Sequence, residues 1–261
     1  MSLVFDRVSR VKPRFEPRLR GGSDAATAHP KKHPRIAIVV GMKAEGRIAD
    51  ASKDLTIIGG GSAAQVEAGL SQVMRRAKAE GRPLQGVLSF GVAGGLAAHL
   101  KSGDLILPTM VHTGSQAYAC HVGWSASLSK NLPHAHRGAM VGVDVMIGSP
   151  EAKRKLHRDH GALAVDMESH GAARFAEAWG LPFAAVRAIA DPHHRVLPPA
   201  ALVGLKADGS ANVKAVLAAL ARRPNQLGPL ILTALDAQAG MRALLRSRLL
   251  LGGLFGFDDG V

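Results

Sequence analysis

From residue 36 onward, short β-branched runs alternate with longer stretches of helical period. In "RIAIVVGMKAEGRIA", Ile36 to Val40 is an apolar run stopped by Gly41, which predicts a buried strand and a turn. "LTIIGGGSAAQVEAGLSQVMRRAKAEGRP" repeats the plan. Its strand stops at Gly59, Gly60 and Gly61, Ser62 is a helix N-cap, and the helix runs to about Gly81. "GVLSFGVAGGLAAHLKSGDLILP" predicts a third strand, a glycine-rich loop over 91–95 and a fourth strand. After a less regular stretch come "GAMVGVDVMIGS" and a helix from Pro150. The segment "AVDMESHGAARFAEAWGLPFAAVRAIADPHH" then reads as strand, helix, strand. Strands alternating with helices imply an α/β domain whose largely parallel sheet is covered on both faces. Ligands of such sheets sit beyond the carboxyl ends of the strands. Glu45, the 91–95 stretch, Met146, Glu168 and Asp191 all fall just past predicted strands and are expected to face one cleft.

Composition narrows the picture. The 261 residues are 47% apolar, enough for the core of one domain over 35–261. Residues 1–34 carry eight Lys/Arg against three Asp/Glu and no apolar period. They read as a flexible basic tail, or as translation from a start upstream of the true one. One cysteine, Cys120, rules out a disulfide within the chain and points to a reducing compartment. The histidines are scattered without metal-ligand spacing, which argues against a zinc site. A net charge of +13 fits an anionic partner or plain solubility; with 4% aromatic residues and no recognition motif, a nucleic-acid partner is not expected. No apolar run approaches the roughly 20 residues of a membrane span.

The polar groups at the strand ends allow competing readings. Asp191, after the run "AIA", is placed to be a partly desolvated acid, or simply to begin an Asp-Pro turn. Glu168 can accept hydrogen bonds from a sugar diol or cap the helix that follows. Arg187 interrupts an apolar strand and so requires a buried partner; an internal ion pair is the plain alternative to a site role. The backbone of Val92, Ala93 and Gly94 can approach a ligand closely, or merely form a tight turn. Glu45 can orient a water, or lie exposed on a first helical turn. His193 and His194 are expected in a solvated turn. The segment 229–256 places Leu235, Met241, Leu244, Leu245 and Leu249 at roughly helical spacing, with Arg242, Arg246 and Arg248 interleaved. It reads as an amphipathic helix that lies on an anionic bilayer, or that packs on the core or a second subunit.

In combination and order, "GMKAEGR", "SFGVAGGLAAHLKSGDLILP", "AVDMES" and "VRAIADPHH" resemble the nucleoside phosphorylase superfamily, in particular its 5′-methylthioadenosine/S-adenosylhomocysteine nucleosidases, over roughly residues 35–200. "VDMESH", "LPFAAVRAIADP", "LPPAAL", "LTALDAQAGMRALLRSRLLLG" and a short 112–141 insert are similar to a hopanoid-associated subgroup that cleaves adenosylhopane. The resemblance implies a three-layer αβα fold around a largely parallel mixed sheet, and cleavage of a purine N-glycosidic bond. It implies Asp191 as the acid for purine N7, Glu168 and Met167 on the ribose, Arg187 in support, Glu45 orienting the water, and Met146 against the base. It implies no cofactor, with inorganic phosphate as co-substrate only in the phosphorolytic alternative. The arginines that hold phosphate in bacterial phosphorylases are replaced at Glu45 and Ser89, while Val92 replaces a serine common to both classes; hydrolysis is the expectation. The implied substrate is an adenine nucleoside with an apolar 5′ substituent, and the implied state a cytoplasmic homodimer, with peripheral contact to the inner membrane left open. A nucleosidase for small thionucleosides and a non-catalytic adenine-nucleoside binder are the alternatives.

Overall fold

The computed structural model describes residues 34–50, 55–204, 206 and 208–257. The basic segment over 1–33 lies outside them. Strand β1 (Ile36–Val40) is followed by α1 (Lys43–Ala49), β2 (Thr56–Ile58), α2 (Ala63–Ala79) and β3 (Gly86–Gly95). Next come β4 (Leu105–Thr113), β5 (Gln116–Ala119), α3 (Val122–Asn131), β6 (His136–Gly142) and α4 (Pro150–His160). The chain continues through β7 (Ala164–Asp166), α5 (Ser169–Ala178), β8 (Phe183–Asp191), α6 (Pro199–Leu202), α7 (Val213–Arg222) and α8 (Leu227–Leu251). Local signals account for several boundaries. The Ser62 side chain accepts from Gln65 N–H at the start of α2, and Ser149 accepts from Ala152 N–H ahead of Pro150 in α4. Gly161 closes α4 at φ 61°, a conformation that suits glycine.

The sheet is mixed. β1 runs parallel to β2 and β3; β3 is parallel to β8, β4 to β6 and β6 to β7. β4 is antiparallel to β5 and β8, and the end of β3 is antiparallel to β7. Following β3, β8, β4, β6 and β7 leads back to β3, so these strands close into a ring from which β1 and β2 extend. Alternate residues of β1 serve opposite faces, as a pleated strand requires. Ala37 and Val39 pack with Leu70 of α2 and Phe175 of α5, whereas Ile36, Ile38 and Val40 pack with Trp124 of α3 and Leu244 of α8.

Two expectations need correction. The stretch 91–95 is not a loop: β3 continues through it, paired with β8 as far as Gly94. Glycine is required there for another reason, since a Cβ on Gly91 would lie 2.5 Å from Arg187 Nη1 and 2.7 Å from Glu45 Oε1. The second correction concerns α8. Leu244 is buried in the core and Met241 packs against it, so they do not belong to a free apolar face. Leu227, Ile231, Leu235, Leu245 and Leu249 are exposed on the other side, leaving a helix apolar on two faces rather than amphipathic. Arg248 is also engaged, donating from Nε to Ala49 O at 2.6 Å and from Nη1 to Gly252 O at 2.7 Å. Among the described residues no helix is long and apolar enough to cross a membrane.

Helix α8 lies close on β8 because Gly240 has no side chain: a Cβ there would sit 3.0 Å from Ala190 Cβ and 3.1 Å from Ile189 O. Gly240→Val is expected to lower stability by about 1–3 kcal/mol through overpacking. Urea unfolding reads this as a lower midpoint at unchanged slope; an unshifted midpoint would mean the contact is slack.

Candidate active site

One edge of β3 is shared by two partners. β1 pairs with Gly86–Ser89 and β7 with Gly94 and Gly95, and between them the strand edge is open. Glu45 fills part of that gap. Its Oε1 accepts Val92 N–H at 2.8 Å, and its Oε2 accepts Gly41 and Met42 N–H, also at 2.8 Å. The first turn of α1 therefore faces inward, and the expectation of an exposed Glu45 gives way: it is 1% exposed. Burial raises its pKa, opposed by the Arg187 charge and by the N–H groups it accepts.

Arg187 is wholly buried behind this gap. Its Nη2 forms an ion pair with Asp166 and donates to the hydroxyls of Ser89 and Ser169, and its Nη1 donates to Val92 O at 3.3 Å. Glu168 Oε2 is farther away, at 3.9 Å. The internal ion pair is thus real. Its principal partner is Asp166, a residue that lies inside "VDMES" but was not singled out from the sequence. Arg187 does not line the cavity; its bonds to Asp166, Ser89, Ser169 and Val92 O lie behind the wall.

Glu168 occupies the N-cap position of α5 but makes no side-chain cap bond. Its Oε1 instead accepts Gly61 N–H at 2.9 Å, so the capping alternative falls away. Room for the carboxylate comes from glycines; a Cβ on Gly41 would stand 2.8 Å from Glu168 Oε1, and one on Gly59 2.7 Å from its Cγ. Burial pushes the Glu168 pKa up to about 7, with Arg187 opposing and the like charges of Asp166 and Glu45 adding to the rise.

At the end of β8, Asp191 Oδ2 lies 2.6 Å from Nζ of Lys153, a side chain of α4 with no exposure. Asp191 Oδ1 is buried without a protein partner. Burial raises the Asp191 pKa against the pull of Lys153, and burial lowers that of Lys153 against the pull of Asp191. A turn does follow, closed by Arg195 N–H to Pro192 O, but His193 within it is half-buried rather than solvated. Lys153 was missed because "PEAKRKLHRDH" is dominated by charge. The available signal was slight: Lys153 shares a helical face with Leu156 three residues on.

These groups line one cavity of about 200 Å³. Glu45, Val92, Ala93, Gly94, Met146, Met167, Glu168 and Asp191 all contribute to its wall, as does Asp166, with Val143, Ile147 and Leu197 adding apolar surface. No lysine or arginine lines it among the described residues.

The raised Glu168 pKa has a consequence for stability. Between the ordinary value of 4.5 and about 7 the folded protein holds more protons than the unfolded chain. Its contribution is therefore fully present below the lower value and lost as pH rises through the upper one. Glu168→Gln lacks this loss, so it should gain on the order of 1–3 kcal/mol relative to wild type between about pH 5 and about pH 8. Urea unfolding of both proteins across that range tests this; parallel curves would contradict it.

The sequence profile of the Phosphorylase superfamily matches residues 56–235. Among solved structures, an S-adenosylhomocysteine nucleosidase from Streptococcus pyogenes, in complex with 5-methylthiotubericidin, is similar at 16% identity and TM-score 0.58, covering 84% of this chain and 98% of that one. A 5′-methylthioadenosine/S-adenosylhomocysteine nucleosidase from Colwellia psychrerythraea 34H, in complex with adenine, is similar at 15% identity and TM-score 0.57, covering 84% and 96%. A mutant Helicobacter pylori MTAN with 5′-methylthioadenosine in its active site is similar at 18% identity and TM-score 0.56, covering 84% and 99%. Identities this low carry the fold alone, but the family match spans well over half of the chain: the protein belongs to the Phosphorylase superfamily.

Proposed function

We propose that this enzyme hydrolyses the N-glycosidic bond of an adenine nucleoside with a bulky apolar 5′ substituent, releasing adenine. The observation that carries the reading is the cavity wall, which combines Glu45, Glu168 and Asp191 with no lysine or arginine among the described residues. As the C1′–N9 bond breaks, its electron pair moves to the purine and positive charge grows on the ribose. A proton from Asp191 to N7 neutralises the leaving base, and the carboxylates near the sugar stabilise the cation-like centre. Glu168 accepts hydrogen bonds from the ribose hydroxyls beside Met167. Water attacks C1′ and gives its proton to Glu45, which backbone N–H groups already hold in place. Exchange with solvent resets both carboxyl groups. Met146 packs on the base through its polarizable thioether.

The same wall favours water over phosphate. Arg187 is committed to Asp166, Ser89 and Ser169, and Arg47 is exposed on the outer side of α1. A phosphate dianion would meet carboxylates with no lysine or arginine reaching the wall to contact it, which is unfavourable at short range. Inorganic phosphate is accordingly not required, and no cofactor is assigned.

The 5′ side is read from apolar groups. Val143, Ile147 and Leu197 line the cavity, and Leu202 packs near Leu197 around Gly148, while Val145 and Val196 are exposed on the same two segments. An apolar wall of this kind suits a hydrocarbon substituent. Adenosylhopane is the substrate of that kind implied by the motif resemblance, so we assign the activity to hopanoid biosynthesis. Activity confined to small thionucleosides, like the 5′-methylthioadenosine bound in the Helicobacter pylori structure, is the second reading. A nucleoside with a membrane-resident substituent must be reached at the bilayer, and the outer face of α8 suits that contact. Leu227, Ile231, Leu235, Leu245 and Leu249 recur along it, with exposed Arg242 and Arg246 between them. A second copy of the chain would oppose like charges there, whereas an anionic cytoplasmic leaflet would not.

Adenine release from a panel of 5′-substituted adenosines, with and without phosphate, tests the reading. Hydrolysis predicts rates unaffected by phosphate and a preference of about tenfold or more for long apolar substituents, worth roughly 1.4 kcal/mol. A rate that needs phosphate, or a preference for methylthio, would replace it. For the membrane contact, a double variant carrying Ile231→Asp and Leu235→Asp is compared with wild type in co-sedimentation with phosphatidylglycerol-rich vesicles. Loss of salt-sensitive pelleting in the variant is expected. Equal pelleting of both, or a dimer that the variant splits, would overturn it.

A further inference from the structure

We propose that Lys153 is the positioning residue for Asp191: its ammonium group holds Oδ2 and supplies the counter-charge for the carboxylate that remains once the proton has gone to the base. The proposal rests on the nucleosidase reading above and names a residue which that reading does not require.

The geometry has three parts. Lys153 is fully buried, its Nζ lies 2.6 Å from Asp191 Oδ2, and Asp191 Oδ1 is buried without a protein partner although its residue lines the cavity. Lys153 also donates to Pro192 O at 3.0 Å and lies 3.3 Å from Arg195 O, so it ties down the turn that follows β8. A purely structural tie would not need a charge. Removing an ammonium group from water is costly, and apolar packing commonly replaces a buried ion pair without loss of stability. A retained charge at this position is explained by what Asp191 must do. When the carboxyl O–H bond breaks and the N7–H bond forms, the O–H electron pair stays on a carboxylate in a cavity already containing Glu45 and Glu168. An adjacent ammonium stabilises that product and so makes Asp191 a stronger acid.

Other charges face the pair. Arg195 lies on the segment after β8, with His193 beside Lys153, and Arg154 and His157 of α4 act on His193 rather than on the pair. Asp236 on α8 accepts from Arg195 Nε at 2.6 Å and from the Ser102 hydroxyl. All of them persist when Lys153 is replaced, so the change seen in a Lys153 variant belongs to Lys153.

The test compares the full-length wild type with Lys153→Met and Lys153→Arg. Two readouts are taken: the titration of the Asp191 carboxyl carbon by 13C NMR, assigned by its absence in Asp191→Asn, and the pH dependence of kcat for adenine release. Without the ammonium the Asp191 titration should move up by about one pH unit or more. The basic limb of kcat should move with it, and kcat should fall on the order of 10²-fold with KM little changed. Lys153→Arg, which keeps the charge, should hold the titration near wild type and recover most of the rate. If Lys153→Met does not fold, Lys153→Gln carries the same measurements. A rate loss with an unmoved titration would leave Lys153 as a structural tie and overturn the proposal, as would a titration that moves equally in the arginine variant. A wild-type chain that releases adenine from no member of the panel sinks the nucleosidase reading instead, while the titration still decides the Lys153–Asp191 link.

Discussion

A guanidinium without access to water must be surrounded by acceptors, and much of the cavity wall follows from meeting that demand at Arg187. The group sits on β8, the strand that joins the two halves of the ring by pairing with β3 on one side and β4 on the other. Asp166 comes to it from the end of β7, Ser169 from the first turn of α5, and Ser89 and the Val92 carbonyl from β3. Leaving any such buried charge without partners would cost several kcal/mol. The ion pair therefore ties the separate segments to one geometry. Glu45 and Glu168 then stand near enough to feel the positive charge without neutralising it, which keeps them as acceptors at the cavity wall.

Close approach of charged side chains to backbone explains the glycines. Gly91 on β3 leaves space for Arg187 and Glu45 on the strand edge that neither β1 nor β7 covers. Gly41 and Gly59, at the ends of β1 and β2, leave space for Glu168. The Gly41, Met42 and Gly61 N–H groups past the ends of β1 and β2, and the Val92 N–H on the open edge of β3, are satisfied by the two glutamates. Backbone satisfaction and site construction are here the same set of hydrogen bonds.

The cavity also has a second charged support. Lys153 and Asp191 are held between α4 and the end of β8, four residues beyond Arg187 on the same strand, and Asp191 lines the same cavity. The carboxylates consequently stand in different surroundings: Asp191 has an ammonium neighbour and one free oxygen, whereas Glu45 has both oxygens bound by N–H groups. Different surroundings are what separate an acid from an acceptor at one pH.

The sequence by itself determined the alternation of strands and helices, the helix starts at Ser62 and Pro150, and the grouping of Glu45, Met146, Glu168 and Asp191 past strand ends, because apolar period, cap residues and glycines act locally. It also showed that Arg187 needed a buried partner. Which partner, and which other side chains stand with it, was decided only by the tertiary structure. Asp166 meets Arg187 because β7 and β8 both flank β3; Lys153 meets Asp191 because α4 packs across the end of β8; and Glu45 turns inward because the β3 edge is open between β1 and β7. Each of these depends on segments tens of residues apart along the chain. The same is true of the 91–95 stretch, which reads as a loop from its glycines and becomes a strand because β8 supplies its hydrogen bonds, and of α8, whose two apolar faces could be assigned to core and surface only once one of them was covered.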